Sequence, residues 1–570
     1  MFDMSPVCLR GGGWDQGAMY LYQGRKSLQQ CIPYYVADDT TTTPTGGENP
    51  SLRHDNVKNN YYTGFRLWLV FIALALSVFL IGLDFTIVAT AIPAITDEFH
   101  GIKDVAWYGP VLFLTVAGFQ SAWGKIFKYF PLKASYLVAI FIFELGSLLC
   151  AVAPSSAAFI VGRAVAGVGG AGVASGAYTI VGFISEPQKR AAHTGIMGAV
   201  YGITNALGPV IGGAFSSTTT WRWCFYVNLP VGAVSIIAIA FYFKNPDAAK
   251  PQQAKFTQKL LQMDPAGTIL IMGAVVSFII AVQYGGQTQP WSSPTVIGLL
   301  VATGVIIVLF AAWEYLQGDR AMVVFRLLKH RAIFLSALYT MFLGGSFFIM
   351  VYYLPIYFQG VQGTTPVGSG VRNLPFILGS TLGSIASGLF ISATGLSTPI
   401  VLAASVIGTI GCGLCLLLNV DTTTGKWVGY QLVAGLALGS GFQVPIIVGQ
   451  ASVDHVDIST VTAMLLFFQT VGGALFVSGA QAGFANRLLQ VLPSSAPNVE
   501  PQQVLLVGAN EIRNTFPAKD VPGIISSYRE GLVVTYAIAT AAAGVAFLSN
   551  VFLSWKRLDT SALKQAAGAA

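Results

Sequence analysis

Gly202-Ile203-Thr204-Asn205-Ala206-Leu207-Gly208-Pro209-Val210-Ile211-Gly212-Gly213 holds no ionisable side chain and lies inside a longer apolar run from Ala191 to Phe215. A helix needs about 20 such residues to cross the hydrocarbon core of a bilayer, so the run is read as a spanning helix. Pro209 removes one backbone hydrogen bond and the glycines let a neighbour approach closely, which together predict a bend packed against a partner helix.

The same kind of run recurs along the chain. Of 570 residues, 54% are hydrophobic and 10% charged, against roughly a quarter charged in a soluble domain, so most of the chain must meet lipid. Spanning runs lie near Phe65 to Ile95, Val105 to Phe127, Lys133 to Ala153, Ala158 to Ile184, Ala191 to Phe215 and Trp223 to Phe243. After the polar stretch Lys244 to Met263, two more lie near Asp264 to Tyr284 and Thr295 to Tyr315. The last lie near Ile333 to Phe358, Ser369 to Ala393, Pro399 to Val420, Trp427 to Gly449, Thr460 to Ala482 and Leu532 to Ser554.

These runs, about fourteen in all, predict an all-α polytopic membrane protein arranged as six, two and six helices. The expected parts are a bundle at 65–243, an insert at 244–331 and a bundle at 332–555 with a long outer loop at 483–530. The first 64 residues, rich in Gly, Asp, Thr and Asn, read as a disordered tail, and residues 556–570 as a short one. The start of the chain has no apolar core behind a basic segment, so insertion is expected to begin at the first spanning run.

A formal net charge of +7 suits nucleic acid only if the basic residues cluster on a soluble face. Here they sit in alternate short loops: Lys125, Lys128 and Lys133; Lys189 and Arg190; Lys244, Lys250, Lys255 and Lys259; Arg320, Arg326, Lys329 and Arg331; Lys556 and Arg557. Short loops on the other side carry Lys103, Arg222 and Lys426. Positive loops stay inside, so both termini are expected in the cytoplasm.

Several motifs have plain readings. Gly167-Val168-Gly169-Gly170-Ala171-Gly172 spells a dinucleotide fingerprint, but without a βαβ unit the glycines are helix contacts. Cys412-Gly413-Leu414-Cys415 lies in mid-span, where nothing lowers a thiol pKa. His54, His100, His193, His330 and His455 fall in the tail or at loop edges and assemble no metal site. Neither a phosphate-cradling loop nor a clustered catalytic set is present, which argues against an ATP-driven pump and against a membrane enzyme.

Ionisable residues inside spans are costly and default to functional candidates. Counting from Trp68, Asp84 lies about sixteen residues along the first span, roughly 24 Å in. Arg163 lies about five residues inside the fourth span, roughly 7 Å from the same face, so the two can pair. Protonating the carboxylate would release the guanidinium and couple a proton to a conformational change, although a static salt bridge fits the same positions. Glu144, near the middle of the third span, is a further proton-carrying candidate or a hydrogen-bonded structural acid.

Leu83-Asp84-Phe85-Thr86-Ile87-Val88 with Pro93, Arg163-x-x-x-Gly167, Gly208-Pro209-x-x-Gly212-Gly213 and Trp221-Arg222-Trp223-Cys224-Phe225-Tyr226-Val227-Asn228-Leu229-Pro230 occur at matching span positions. With them, the chain resembles the major facilitator superfamily, and within it the fourteen-span drug:proton antiporters, especially fungal toxin and secondary-metabolite efflux pumps. The fifth-span stretch, with Gly202, is similar to the family's antiporter motif. The loop after the second span departs from the superfamily's Gly-x-x-x-Asp-x-x-Gly pattern. It has Gly124, then Lys128 and Pro131, and lacks the gating Asp. Ala166 and Thr204 stand where Gln and Gly are frequent.

The resemblance implies two six-helix bundles with two extra central helices, rocking about a midplane site. It also implies proton-coupled export of a small amphipathic molecule, with no cofactor beyond the proton gradient. Asp84, Arg163 and Glu144 would handle protons. Tyr201, Asn205, Phe348, Tyr352, Gln443, Phe467 and Gln469 would line the substrate cavity, offering stacking and a few hydrogen bonds. The expected partners are the substrate and the lipid bilayer, with no nucleic acid and no obligate protein. The expected location is the plasma membrane, with a vacuolar or vesicular membrane as the alternative. Import of iron chelates or amino acids is the rival within the fold, and a non-transporting sensor the rival outside it.

Overall fold

Proline or a side-chain cap sets the start of most of the long helices, since the first turn of a helix has no intrahelical partner for its N–H groups. The structure, a computed structural model, describes residues 61–99, 105–507, 509, 511–553 and 557. The first half contains α1 (Gly64–Thr86), prolonged after Ile87 by Val88–Phe99, then α2 (Pro110–Tyr129), α3 (Leu132–Ala151), α4 (Ser156–Ile184), α5 (Pro187–Thr218) and α6 (Asn228–Tyr242). The inserted pair is α7 (Pro265–Tyr284) and α8 (Pro294–Gln317). The second half contains α9 (Arg331–Ile356), α10 (Leu374–Thr394), α11 (Thr398–Cys415), α12 (Thr424–Phe442), α13 (Ile458–Ser495) and α14 (Val521–Asn550). Ser155 caps α4 by accepting from Ala158 N, and Ser293 caps α8 by accepting from Val296 N.

The two halves repeat one packing scheme. In the first, α1 packs on α5 and α6, α4 on α2 and α3, and α3 on α6. In the second, α9 packs on α13 and α14, α12 on α10 and α11, and α11 on α14. Each of these contacts thus has its counterpart in the same ordinal positions of the other half, while the longer α13 and α14 also pack on each other. The halves meet through α2 against α13 and α5 against α10, two contacts that exchange under a pseudo-two-fold axis. The inserted α7 packs on both α2 and α13, which seats the pair beside one of these seams. α8 is almost wholly peripheral, with 11% of its most apolar window buried.

Thirteen helices among the described residues are long and apolar enough to cross a membrane. α2 is also 20 residues long, but it carries Gln120, Lys125 and Lys128 on an inward face. Its polarity serves contacts inside the protein.

The chain departs from the expected boundaries in two places. The expected outer loop at 483–530 is shorter, because α13 runs on to Ser495 and α14 begins at Val521. At 38 residues α13 is about 57 Å long, well beyond the hydrocarbon core of about 30 Å. The run of apolar residues ends near Asn486 and Arg487, yet the helix continues as an amphipathic one, burying Leu488 and Leu492 and pairing Arg487 with Glu530 at 3.1 Å. The other departure is in the tail, whose described end, Tyr61 to Thr63, is tied down: the Tyr62 hydroxyl donates to Lys244 O at 2.7 Å. The rest of that tail and all of 556–570 except Arg557 lie outside the described residues.

The seams depend on small residues. A Cβ on Gly124 of α2 would stand 2.5 Å from Ala463 Cβ and 2.9 Å from Ser459 O of α13. On Gly213 it would meet nothing within 4 Å. Gly124→Ala should therefore destabilise the purified protein by about 1–3 kcal/mol, while Gly213→Ala should be neutral or slightly stabilising. Thermal unfolding followed by tryptophan fluorescence checks this, and equal midpoints for the two variants would contradict the tight crossing.

Candidate functional site

Arg163 is wholly buried on α4, so its guanidinium needs partners from other helices. It finds them on both sides. Nη1 lies 2.7 Å from Asp84 Oδ2, Nη2 donates to the Asp84 backbone oxygen at 3.1 Å, and Nε donates to Tyr108 O at 3.1 Å. The expected pairing of Asp84 with Arg163 is therefore present in the structure. Asp84 Oδ1 has no hydrogen-bond donor among the described residues. The next residue, Phe85, offers its carbonyl to the Tyr352 hydroxyl of α9 at 3.1 Å, so the charged pair is one residue from a contact between the halves.

Glu144 is placed differently. It points from α3 towards α6, where a Cβ on Gly232 would stand 1.8 Å from Glu144 Oε1. Neither carboxyl oxygen has a donor among the described residues, and Glu144 forms no ion pair with Arg163.

The α5 glycines serve two neighbours. A Cβ on Gly208 would stand 1.9 Å from Thr86 Oγ1, two residues from Asp84, and one on Gly202 would stand 3.0 Å from Thr381 Oγ1 of α10. Thr204, which stands where a glycine is frequent in the resembled family, packs against Gly82 of α1. α5 thus runs between the helix that carries the buried acid and the opposite half, with Pro209 inside it and Gly212 and Gly213 beyond.

Between the halves lies a cavity of about 40 Å³. It is lined by Phe85, Gln120, Tyr178, Tyr201, Phe348, Phe442, Gln443, Gln469 and Thr470 together with aliphatic side chains, and no charged residue among the described ones lines it. Phe85 and Phe113 are 4.4 Å apart between ring centroids, and Tyr201 stacks on Phe442 at 6.1 Å. This volume admits a few waters, not a drug-sized molecule, which needs several hundred Å³. The Gln120 and Gln443 side-chain oxygens have no hydrogen-bond partner among the described residues.

Of the residues expected to line the cavity, Tyr201, Phe348, Gln443 and Gln469 do so. Tyr352 stands at its edge, bridging to Phe85. Phe467 belongs to a separate apolar cluster with Met322, Leu327 and Met464. The reason is helical register, since Leu466, Gln469 and Thr470 share one face of α13 and Phe467 is turned off it. The Asn205 side chain lies outside the described residues. Gln120, Tyr178 and Phe85 were not foreseen as lining residues. A polar amide inside an otherwise apolar run was the available signal for Gln120.

The Lys/Arg-rich face is closed beneath the cavity. Lys128 of α2 pairs with Asp457 at 2.7 Å, Arg326 with Asp457 at 2.9 Å, Ser384 Oγ of α10 donates to Gly195 O of α5 at 2.9 Å, and Gln450 Nε2 donates to Tyr178 O at 3.1 Å. The position where an Asp was expected thus carries a lysine whose carboxylate partner, Asp457, comes from the other half. Its charge polarity is reversed.

On the opposite face, the Trp221-to-Pro230 block is a clamp. Trp221 Nε1 and Arg222 Nη2 donate to Glu98 at 2.7 and 2.6 Å, and Arg222 Nη1 donates to Ala151 O at 2.8 Å. Partial burial opposes ionisation of Glu98, but the hydrogen bonds from Trp221 and Arg222 prevail and hold its carboxyl below the usual range.

A profile described as Major Facilitator Superfamily matches residues 74–477. The MFS-type transporter grgE of Penicillium sp is 45% identical over 548 residues, covering 93% of this chain and 97% of that protein. The probable efflux pump gsfJ of Penicillium aethiopicum is 45% identical over 549 residues, covering 95% and 98%. The MFS-type efflux pump MFS1 of Trichophyton rubrum is 41% identical over 523 residues, covering 92% and 98%. Among solved structures, the proton:xylose symporter XylE matches in fold with a TM-score of 0.56 at 11% identity, covering 87% of this chain and 99% of that one.

If the Lys128 to Asp457 pair holds the basic face closed, Lys128→Asp or Asp457→Lys alone should raise the accessibility of cavity residues to a reagent added on that face. The exchange of both should restore closure in part, because the new lysine at 457 regains a carboxylate partner at 128 but faces Arg326. Labelling of a cysteine placed at Thr470 measures it, and a double variant as open as the singles would refute the pairing.

Proposed function

The chain belongs to the Major Facilitator Superfamily and is a multi-pass membrane transporter, and from that premise we propose that it exports small amphipathic organic molecules in exchange for protons. The observation that carries the proposal is the buried Asp84 and Arg163 pair, one residue from the Phe85 and Tyr352 contact between the halves. Two relatives named as efflux pumps, each covered over nearly its whole length, support the direction. On this reading the basic face is cytoplasmic, both termini lie there, and the plasma membrane is the site of action.

In the inward-open state substrate enters from the cytoplasm or the inner leaflet and settles among Phe85, Phe113, Tyr201, Phe348 and Phe442, with Gln120 and Gln443 as acceptors for its donor groups. The cavity widens around it and then opens outwards. A proton reaching Asp84 from the outer side neutralises the carboxylate and weakens its hold on Nη1, while Arg163 keeps the backbone oxygens of Asp84 and Tyr108. α1 can then shift against α5 at the Gly208 and Thr86 contact. Glu144, without a donor among the described residues, is an auxiliary proton carrier on the α3 and α6 side.

Asp84→Asn should lower pH-driven transport in vesicles at least tenfold while leaving substrate binding within about threefold, since the cavity is untouched. Undiminished transport under an imposed pH gradient would refute the mechanism. Metabolites retained and excreted by cells with and without the gene identify the substrate.

A further inference from the structure

The inserted helices bring two carboxyl groups together at their basic-face ends. Asp264 caps α7 from a left-handed backbone conformation, φ 46°. Its Oδ1 accepts from Gly267 N at 3.0 Å and from Trp313 Nε1 at 2.8 Å, and its Oδ2 accepts from Met322 N at 3.3 Å. Glu314 of α8 accepts from Val323 N through Oε2 at 2.6 Å. Asp264 is 3% exposed and Glu314 1%.

Both groups crowd the bare Cα of Gly267, where a Cβ would stand 2.4 Å from Asp264 Oδ2 and 2.5 Å from Glu314 Oε1. Glu314 Oε1 has no donor among the described residues, and what it faces is another acceptor. Two ionised carboxylates in such proximity repel, whereas one proton between them makes a hydrogen bond.

No cation among the described residues pairs directly with either carboxyl, although the charge of Lys125 acts on Glu314 from α2. Lys125 of α2, itself buried, donates to the Asp319 carbonyl, Lys128 pairs with Asp457, and Arg326 pairs with Asp319 at 3.1 Å and with Asp457 at 2.9 Å. These bonds also show what the carboxyl pair controls. Its two acceptors hold Met322 N and Val323 N, and the same 318–323 segment presents Asp319 to Lys125 and Arg326, from which the chain of contacts continues through Asp457 to Lys128 across the α2 and α13 seam.

We propose that Asp264 and Glu314 form a proton-binding site, separate from Asp84 and Arg163, whose proton latches the 318–323 segment to the inserted helices and so holds the basic face closed. Loss of that proton as pH rises at this face places a second negative charge in the pocket, drives the carboxyls apart and frees the segment. The inserted pair thereby has a role that its lipid-facing position does not otherwise explain. The inference rests on this local geometry and not on the direction of transport.

The test uses the purified full-length protein in nanodiscs. Infrared difference spectra should contain a protonated-carboxyl band that Glu314→Gln removes. Hydrogen exchange of the 318–328 amides, corrected for the intrinsic rate, should rise about fivefold or more from mildly acidic to mildly alkaline pH. In Glu314→Gln, whose amide supplies the missing donor permanently, that rise should vanish. If this variant fails to fold, Asp264→Asn is used: having lost an acceptor, its segment should be less protected at every pH, with the pH-dependent rise again absent. Asp84→Asn should titrate here like the unmodified protein, which separates failure of this site from failure of the export mechanism. A pH-independent segment, an unchanged infrared band in Glu314→Gln, or protection that follows sodium or potassium concentration at fixed pH would each overturn the proposal, the last by making the ligand a metal cation.

Discussion

A guanidinium that cannot reach water fixes the geometry of the first half. Arg163 is surrounded by apolar helices, and removing one partner from a buried pair costs about 3–5 kcal/mol because the remaining charge is left uncompensated. Its partners come from the end of α1 and from the segment leading into α2, so one side chain on α4 ties three stretches of chain at a common depth. The Glu98, Trp221 and Arg222 clamp then holds together the ends of the first half opposite the basic face.

Around that point, movement is confined to seams where backbones touch. The Gly124 and Ala463 crossing and the approach of Gly195 to Gly388 bring α2 to α13 and α5 to α10 with little side-chain interdigitation. Across the basic face the same seams are also bridged by an ion pair and by hydrogen bonds from Ser384 and Gln450. In this closed form the cavity is too small for an organic substrate. Tyr201, Phe348 and Phe442 pack on one another in its wall.

The apolar runs made the helix plan legible, because a spanning helix needs no more than composition and length to be recognised. What composition hid was the continuation of α13 past Arg487, where the period of buried Leu488 and Leu492 persists although the overall hydropathy falls. The Asp84 and Arg163 contact was readable from depth alone, since both residues are ionisable exceptions in otherwise apolar helices. Cavity membership was less legible. Phe467 and Gln469 are two residues apart, yet only one faces the cavity, and register on a helix with apolar residues all round has no marker in the sequence. Asp457 and the Asp264 and Glu314 pair went unremarked because they sit at helix ends, where a carboxylate looks like an ordinary loop or cap residue until a partner from a distant segment is seen beside it.

The separation of charge from cavity has a mechanistic consequence. The aromatic walls and neutral amides can hold molecules of varied shape without a fixed charge to select among them. Protons, by contrast, need acids, and the buried acids stand outside the cavity lining: Asp84 behind Phe85, Glu144 against Gly232, and Asp264 with Glu314 beyond the seam. On the proposed reading, proton and substrate therefore do not compete for one group. Each acts on the same moving elements, α1 and α5 on one side and the 318–323 segment on the other. Coupling then travels as a difference in helix packing, which leaves the cavity free to change its ligand without disturbing the charges that drive the cycle.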